Sequence, residues 1–305
     1  SSGGIVGALA PHVPEQWNAK KAFQLEALLM AESWWADVAS AGGRDPGYAR
    51  TGRLQPLPDA ASITRARERA DGAKVLWEEK AAWEVIEAPE GWAPVTPTGL
   101  VIHDTLTARL HPRQACAALA AALWSRGIGI ETAGEETGTV IHATGWRGMV
   151  ALSDQLGRSV GNGVKGQAAL LDHDVRDLPQ IYADGVHIVP HGDGTVAVGS
   201  TSERDWAEEQ TTDNQLSEVI AAARRAVPLL GRARVIERWA GVRPRARSRA
   251  PMLGAHPLHA GELIANGGFK IGFGLAPLVG EVMADLALEG RDRIPDDFRP
   301  EASGA

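Results

Sequence analysis

The chain has 305 residues, 44% of them apolar and 23% charged, and its formal net charge is −7. This length and composition suit one large soluble unit or two interleaved ones, and the acidic balance disfavours nucleic acid as a partner. The single cysteine excludes an intrachain disulfide framework, and without an apolar run of about 18 residues we expect no membrane span and a cytoplasmic protein.

The first half of the chain alternates helices and strands. Residues 1–14 are rich in glycine and proline, which predicts a loop that can approach a ligand closely. The apolar spacing from Glu15 to about Ala39 predicts an amphipathic helix that Gly42 and Gly43 end. The elements predicted next are a strand at 53–57, a helix at 60–80 capped by Asp59, a strand at 99–103 and a helix at 112–126.

The second half continues this alternation and adds antiparallel strand pairs. Its predicted strands lie at 138–145, 164–171, 187–189, 195–199, 235–242 and 263–266, and its predicted helices at 216–230 and 277–288. The strand at 138–145 is expected to be buried, and the proline- and charge-rich tail from Arg291 is expected to be loose. The interleaved order excludes the pure α and pure β classes and suits an α/β nucleotide-binding layer with an antiparallel sheet.

Arg243 is the first candidate for chemistry, because it stands directly before Pro244 at a predicted strand end. The proline disfavours helical backbone at Arg243 and keeps that residue extended. A planar guanidinium can bind a carboxylate through two parallel hydrogen bonds. The alternative is a surface ion pair in a loop that also contains Arg245, Arg247 and Arg249.

The second candidate is the glycine-rich segment Gly267–Gly272, which comes before a predicted helix. Glycines there expose backbone N–H groups, and the helix dipole favours negative charge at its start. Lys270 adds a point charge to this segment. The alternatives are an exposed lysine in a glycine turn and, for the similar segment 1–11, a loop without a ligand.

These motifs resemble the glycine oxidase and D-amino acid oxidase family of FAD enzymes. Trp239–Pro244 is similar to the family's Trp-Ala-Gly-Leu-Arg-Pro motif, and Pro251–Gly254 follows at the family's spacing. Ala143–Gly145 matches the short Ala-Thr-Gly signature found in many FAD-binding folds. The motifs come in the order expected for that family.

The resemblance implies catalytic roles for three residues. Arg243 would bind the substrate carboxylate, and Lys270 would supply positive charge near the flavin ring. His187 would cap the substrate at a position where glycine oxidases commonly carry a tyrosine. A histidine there could titrate near neutrality, and the alternative is a strand histidine whose hydrogen bonds a neighbour satisfies.

The resemblance also implies a non-covalently bound FAD. Ser2 and Gly3 would contact its pyrophosphate, and the segment Gly7–Leu9 would contact its ring. The full set of expected cofactor contacts is Ser1, Ser2, Gly3, Gly7, Ala8, Leu9, Ala143, Thr144, Gly145, Trp146, Gly267, Gly268, Phe269, Lys270, Ile271 and Gly272. No metal site is expected, because the histidines lack a metal-ligand spacing and no His-Glu-x-x-His motif occurs.

The fold that the resemblance implies is mixed α/β (α+β) and glycine oxidase-like. A two- or three-layer FAD-binding α/β domain would be interleaved with an antiparallel-sheet substrate domain. The expected FAD-binding domain comprises 1–42, 107–157 and 239–290, the expected substrate domain 43–106 and 158–238, and the tail 291–305. The family's opening strand–Gly-x-Gly-x-x-Gly–helix unit does not occur in this sequence, so we expect this chain to bind FAD poorly.

The implied activity is oxidation of the C–N bond of a small amino acid or amine, of the glycine, sarcosine or D-amino acid type. A hydride would pass to flavin N5, the imine would hydrolyse, and the electrons would go to O2 or to a quinone. A homo-oligomer is compatible with the sequence. Two alternatives stay open, namely the FAD domain of a tRNA wobble-uridine modifying enzyme and a cofactor-free, non-catalytic remnant.

Overall fold

Six α-helices organise residues 2–305, the part of the chain that the computed structural model describes. They are α1 (Ala19–Gly42), α2 (Ala60–Leu76), α3 (Pro112–Ser125), α4 (Gly145–Leu156), α5 (Asn214–Ala226) and α6 (Gly272–Glu289). None of these described helices is long and apolar enough to cross a membrane. α1 begins later than the predicted Glu15, because Asn18 caps it by accepting a hydrogen bond from the N–H of Lys21 at 3.0 Å.

The strands form three sheets. The order in the eight-stranded sheet is β11 (Arg234–Ala246), β7 (Gly161–Asp172), β10 (Thr195–Gly199), β9 (Val186–Pro190), β8 (Gln180–Ala183), β2 (Arg53–Pro56), β4 (Leu100–Asp104) and β3 (Trp83–Glu87). The three-stranded sheet has the order β12 (Met252–Ala255), β13 (Leu263–Asn266) and β6 (Ile141–His142), and β1 (Ala8–Leu9) pairs with β5 (Ala108–Arg109). Among these pairs only β2 with β8 and β6 with β13 are parallel. This combination confirms the predicted mixed class.

Helix α1 joins two of the apolar clusters. Leu28 and Trp35 pack in one cluster with residues of β1, α2, α3 and β4, whereas Phe23 and Ala27 pack in another with α6 and β12. A further cluster places the apolar side of α5 on strands β7 to β10. Buried apolar surface is the main stabilising term in such packing. Because α1 contacts both clusters, it fixes where the start of α6 lies relative to β1.

The segment after β6 differs from the prediction. The expected buried strand at 138–145 shortens to Ile141–His142, and Ile141 is 41% exposed. The chain turns at Thr144, whose φ and ψ are −80° and 2°, and α4 starts at Gly145 with a φ of 66°. The small residues of the Ala-Thr-Gly signature therefore form a turn into a helix that the sequence pattern did not indicate.

The last two helices have other bounds than predicted. α6 begins at Gly272 and contains Pro277, although the pyrrolidine ring withholds one N–H from the helix. Its turns are retained because its apolar side packs against α1. α5 ends at Ala226, since Pro228 begins a short 3-10 segment. β3 and β8 lie in segments for which no strand is predicted.

The expected division into FAD-binding and substrate domains stays a prediction. β11 runs unbroken from Arg234 to Ala246 and so crosses the expected boundary between 238 and 239. It pairs with β7 along its length, from Arg234 opposite Asp172 to Ala246 opposite Gly161. The residues of the Trp239–Pro244 motif therefore lie on the edge strand of the large sheet.

The expectation of a loose tail is wrong. Residues 296–298 and 300–303 form 3-10 turns, and Phe298 is fully buried. Its ring meets that of Phe23 edge to face at a centroid separation of 5.0 Å, and Ile294 is also buried. A few apolar side chains thus hold the tail on α1 and α6 despite its charged composition.

We expect Phe298→Ala to lower the free energy of unfolding by about 3 to 5 kcal/mol, because it empties a fully buried site. The control is Leu288→Ala, at a side chain that is 84% exposed, with an expected change below about 0.5 kcal/mol. Urea unfolding followed by tryptophan fluorescence measures both. Equal small changes in the two variants would contradict the packed tail.

Candidate active site

A cavity of about 810 Å³ lies where the large sheet meets the starts of α4 and α6. The sheet contributes Arg243 and His187 to its wall, and the segment before α6 contributes Lys270. The expected cofactor contacts that also line it are Ser2, Gly7, Ala8, Ala143, Thr144, Gly145, Trp146, Gly267, Gly268, Phe269 and Gly272. The fold therefore brings five separate sequence segments to one cavity.

Three expected contacts do not line this cavity, and Ser1 lies outside the described residues. Leu9 points the other way from Ala8 along β1 and is buried in the cluster around α1. Ile271 likewise packs with α6 and α1. Gly3 is exposed, and its carbonyl accepts a hydrogen bond from Nε of Arg113 at 3.0 Å.

The position of Arg243 depends on a glycine in the neighbouring strand. An ideal Cβ placed on Gly166 of β7 would lie 2.0 Å from a terminal nitrogen of the Arg243 guanidinium. The guanidinium therefore lies flat against the backbone of Gly166. It donates hydrogen bonds to Oγ of Ser200 at 2.5 Å and to the carbonyl of Thr201 at 3.4 Å. These contacts fix the direction in which the fork of Arg243 faces the cavity.

The charge of Arg243 has no carboxylate in direct contact with it among residues 2–305. Burial lowers the pKa of Arg243 to about 10, and Glu203 opposes this shift. Glu203 is itself held elsewhere, 3.8 Å from Nζ of Lys165 and 3.1 Å from Nε2 of Gln167. A guanidinium with a pKa of about 10 stays charged at neutral pH. Arg243 is therefore available to pair with a carboxylate that enters the cavity.

His187 also lines the cavity, together with Tyr182, for which the sequence carries no local signal. The two residues face each other across β8 and β9, and their ring centroids are 4.6 Å apart. Burial, and then the charges of Arg53, Lys270 and Arg243, lower the pKa of His187 to about 3. The imidazole is neutral at physiological pH, so the expected titration near neutrality is wrong. Its Nδ1 is buried and has no hydrogen-bond partner among the described residues.

The starts of α4 and α6 both lie at the cavity with free N–H groups. Neither N-cap residue, Thr144 or Ile271, caps its helix through a side-chain hydrogen bond. A Cβ added to Gly145 or Gly272 would meet no atom within 4 Å, so the backbone is open there. Unsatisfied N–H groups and the helix dipole make such starts suited to anionic or carbonyl groups of a ligand.

Asn266 joins the start of α4 to the glycine turn that follows β13. Its Nδ2 donates to the carbonyl of Gly145 at 2.9 Å, and its Oδ1 accepts from the N–H of Gly267 at 2.7 Å. Gly267 has a φ of 77°, a backbone conformation that favours glycine. Asn266 is buried and ends β13, where the sequence pattern indicated only a strand residue. The sequence signal that could have indicated the role of Asn266 is a polar residue directly before a Gly-Gly pair.

The family model for the FAD-dependent oxidoreductases called DAO matches residues 1–286. The chain belongs to this family. The resemblance stated from the motifs is thereby confirmed, and FAD is the cofactor of the family.

Among curated relatives, the glycine oxidase of Bacillus licheniformis is 35% identical over 127 residues, which are 41% of this chain and 34% of the relative. The glycine oxidase of Pseudomonas putida is 34% identical over 141 residues, which are 45% of this chain and 38% of the relative. The matched stretches thus span little more than a third of these relatives.

Solved structures show the same fold over nearly the whole chain. The glycine oxidase of Geobacillus kaustophilus superposes with a TM-score of 0.80 at 19% identity, covering 98% of this chain and 87% of that one. The iminodiacetate oxidase of a Chelativorans species superposes with a TM-score of 0.82 at 20% identity, covering 98% and 89%. The predicted glycine oxidase-like fold is confirmed.

We expect Gly166→Ala to weaken carboxylate binding about tenfold or more, because the new methyl group displaces the guanidinium of Arg243. Titration calorimetry with glycolate, in the presence of FAD, measures the change. The control is Gly231→Ala, where an added Cβ meets nothing within 4 Å. Unchanged glycolate affinity in Gly166→Ala, with an intact fold by circular dichroism, would contradict the assigned position of Arg243.

The neutral state of His187 has a measurable consequence for stability. The pKa of His187 is about 3 in the folded protein against 6.5 ordinarily, so below pH 6.5 the unfolded chain binds a proton that the folded one does not. This contribution is complete above about pH 6.5 and is lost as pH falls towards 3.

We therefore expect His187→Gln to flatten the dependence of the free energy of unfolding on pH by up to about 1.4 kcal/mol per pH unit. Urea unfolding at several values between about pH 5 and 7 measures the slope. His191, whose pKa burial lowers to about 4, remains in the variant and preserves part of the slope. Parallel curves for the two proteins would show that His187 is not held neutral.

Proposed function

We propose that this protein oxidises the C–N bond of a small amino acid or amine in the cavity that Arg243 lines. The observation that carries this is a partly buried guanidinium without a carboxylate in direct contact among residues 2–305, in one cavity with two open helix starts. The guanidinium is suited to a substrate carboxylate. The open helix starts are suited to a bound nucleotide cofactor.

The residues present fit a flavin. The uncapped starts of α4 and α6, with open backbone at Gly145 and Gly272, would hold polar groups of FAD, and the segment from Ser2 to Ala8 would line its other side. When bound, FAD would supply a two-electron acceptor for the hydride that leaves the substrate carbon. Asn266 holds the start of α4 against the glycine turn that precedes α6.

The chain's own residues orient the substrate. Arg243 binds the carboxylate, which fixes the position of the carbon that bears the amine. Neutral His187 and Tyr182 cover the substrate from β8 and β9, and Nδ1 of His187 can take part in a hydrogen bond with the amine. No dedicated base is required if the amine binds in its neutral form, since its remaining proton leaves to water.

The proposed reaction balances as follows. The C–H bond breaks and the hydrogen leaves with both electrons, the amine loses a proton to solvent, and a C=N bond forms. Water hydrolyses this imine to an oxo acid and an amine or ammonia. O2 finally takes up two electrons and two protons to give hydrogen peroxide. The names of the two glycine oxidase relatives support glycine as a substrate and O2 as the acceptor.

The test of this function is anaerobic addition of glycine, sarcosine or D-alanine to the FAD-loaded protein. We expect the visible flavin absorbance to bleach and, once air is admitted, hydrogen peroxide to appear in equal amount. A flavin spectrum that no amino acid or amine changes would overturn the proposal.

We expect Arg243→Lys to lower kcat/KM for such a substrate roughly 10- to 100-fold, because lysine replaces a two-point grip by a point charge. Arg238→Lys is the matched control, since Arg238 is exposed on the same strand and does not line the cavity. Steady-state peroxide release measures both. Equal kinetics in the two variants would remove Arg243 from the substrate site.

A further inference from the structure

The first segment of the chain, residues 3–7, is held in place through its carbonyl groups. Nε of Arg113 donates a hydrogen bond to the carbonyl of Gly3 at 3.0 Å, and the N–H of Leu110 donates one to the carbonyl of Gly7 at 2.9 Å. The N–H groups of the four residues after Gly3 donate no hydrogen bond among residues 2–305. These four residues line the cavity, so their N–H groups are available to a ligand there.

His191 holds the carbonyl in the middle of this segment. Its Nε2 lies 2.8 Å from the carbonyl oxygen of Ile5, and both residues are fully buried. Burial lowers the pKa of His191 to about 4, so the imidazole is neutral at physiological pH and carries one ring proton. Because a carbonyl oxygen can only accept a hydrogen bond, this proton is on Nε2. His191 does not line the cavity, so its effect on a ligand there passes through the first segment.

The first segment lies close to the part of the cavity that Arg243 lines. An ideal Cβ placed on Gly199 would lie 2.7 Å from Cγ2 of Val6, so these two residues are in close contact. The next residue, Ser200, accepts a hydrogen bond from the guanidinium of Arg243. The N–H groups of the first segment are therefore near the end of the cavity where a substrate carboxylate would bind.

We propose that His191 is a positioning residue for the cofactor. By holding the carbonyl of Ile5, it keeps the N–H groups of the first segment directed to the cavity, where they donate hydrogen bonds to acceptor atoms of the flavin ring. The ring must lie next to a substrate bound by Arg243 for a hydride to pass between them, and it carries oxygen and nitrogen acceptors. The proposal rests on the function proposed above, since it assigns a residue to the cofactor side of the same site.

Gln180 provides a closely matched control. Like His191 it is fully buried, and its Nε2 donates a hydrogen bond to a backbone carbonyl at 2.8 Å, that of Ala108 in β5. Each of the two side chains has one further buried polar atom without a partner among the described residues, Oε1 in Gln180 and Nδ1 in His191. Gln180 does not line the cavity, and Ala108 lies outside the first segment. Loss of either hydrogen bond should cost similar stability, but only the loss at His191 releases the first segment.

The experiment compares the parent protein with His191→Met, His191→Gln and the control Gln180→Met. Quenching of flavin fluorescence gives the Kd for FAD, and titration calorimetry gives the Kd for ADP, which has no flavin ring. Hydrogen exchange measured by mass spectrometry follows the amides of residues 4–7 with and without FAD. Urea unfolding shows whether each variant is folded and how stable it is. None of these measurements depends on turnover.

We expect His191→Met to raise the Kd for FAD about tenfold or more, because the N–H donors of the first segment lose their direction, and to change the Kd for ADP less than about twofold. FAD should slow the exchange of residues 4–7 in the parent protein, and His191→Met should lose this protection. His191→Gln keeps a donor and should retain most of the affinity for FAD. Gln180→Met should lose as much stability as His191→Met and keep the Kd for FAD.

Three results would overturn the proposal. They are an unchanged Kd for FAD in folded His191→Met, an equal loss of affinity for FAD and ADP, and a parent protein in which FAD leaves the exchange of residues 4–7 unchanged. The last result can be read whether or not the variants fold. The proposed function fails separately, when a parent protein that binds FAD oxidises no amine, and the role of His191 is then still read from the Kd and the exchange. A parent protein that binds no FAD would overturn both.

Discussion

The guanidinium of Arg243, lying against the bare backbone of Gly166, is the contact on which the rest of the site depends. A buried cation is costly unless it is hydrogen-bonded, and here Ser200 and Thr201 supply acceptors without supplying charge. Glu203 could neutralise it, but Lys165 and Gln167 hold that carboxylate away. The site therefore keeps a full positive charge that neutral hydrogen bonds hold in place and that no carboxylate of residues 2–305 contacts directly.

The large sheet and the helix starts divide the work of the site between them. β11, β7 and β9 place rigid side chains, since each is hydrogen-bonded on at least one side along its length. α4 and α6 instead present backbone at their starts, and Asn266 joins Gly145 at the start of α4 to the glycine turn before α6. The sheet thus offers side chains to a ligand in the cavity, and the helix starts offer backbone N–H groups. This is the arrangement that a small charged substrate next to a large planar cofactor needs.

The sequence allowed a good part of this to be predicted, because some constraints are local. Arg243 before Pro244 and the glycines before α6 are restricted by their immediate neighbours, and their segments do line the cavity. Gly166 and Tyr182 have no such local signal. Gly166 matters because β7 lies beside β11, which is distant from it in sequence. Tyr182 matters because β8, a strand that was not predicted, pairs with β9.

The errors in the predicted elements have the same origin. Pro277 suggested a helix start by local preference, yet packing on α1 retains the preceding turn as part of α6. The tail from Arg291 is charged on average, but Ile294 and Phe298 are buried in the cluster that contains Phe23. In each case burial against a distant element outweighed the local preference. Composition averages over a segment, whereas packing depends on the few side chains that reach the core.

The sign of the cavity's charge links the cofactor to the substrate. Arg243, Lys270 and the two open helix starts all present positive potential to the same space, and no described lining residue is acidic. Each anionic group that binds therefore lowers the repulsion among the positive groups. It also weakens the positive potential that attracts a second anion. This weakening is small where each anion directly contacts its own fixed cation. The pairing of each anion with its own cation thus allows an anionic cofactor and a carboxylate substrate to occupy one cavity together.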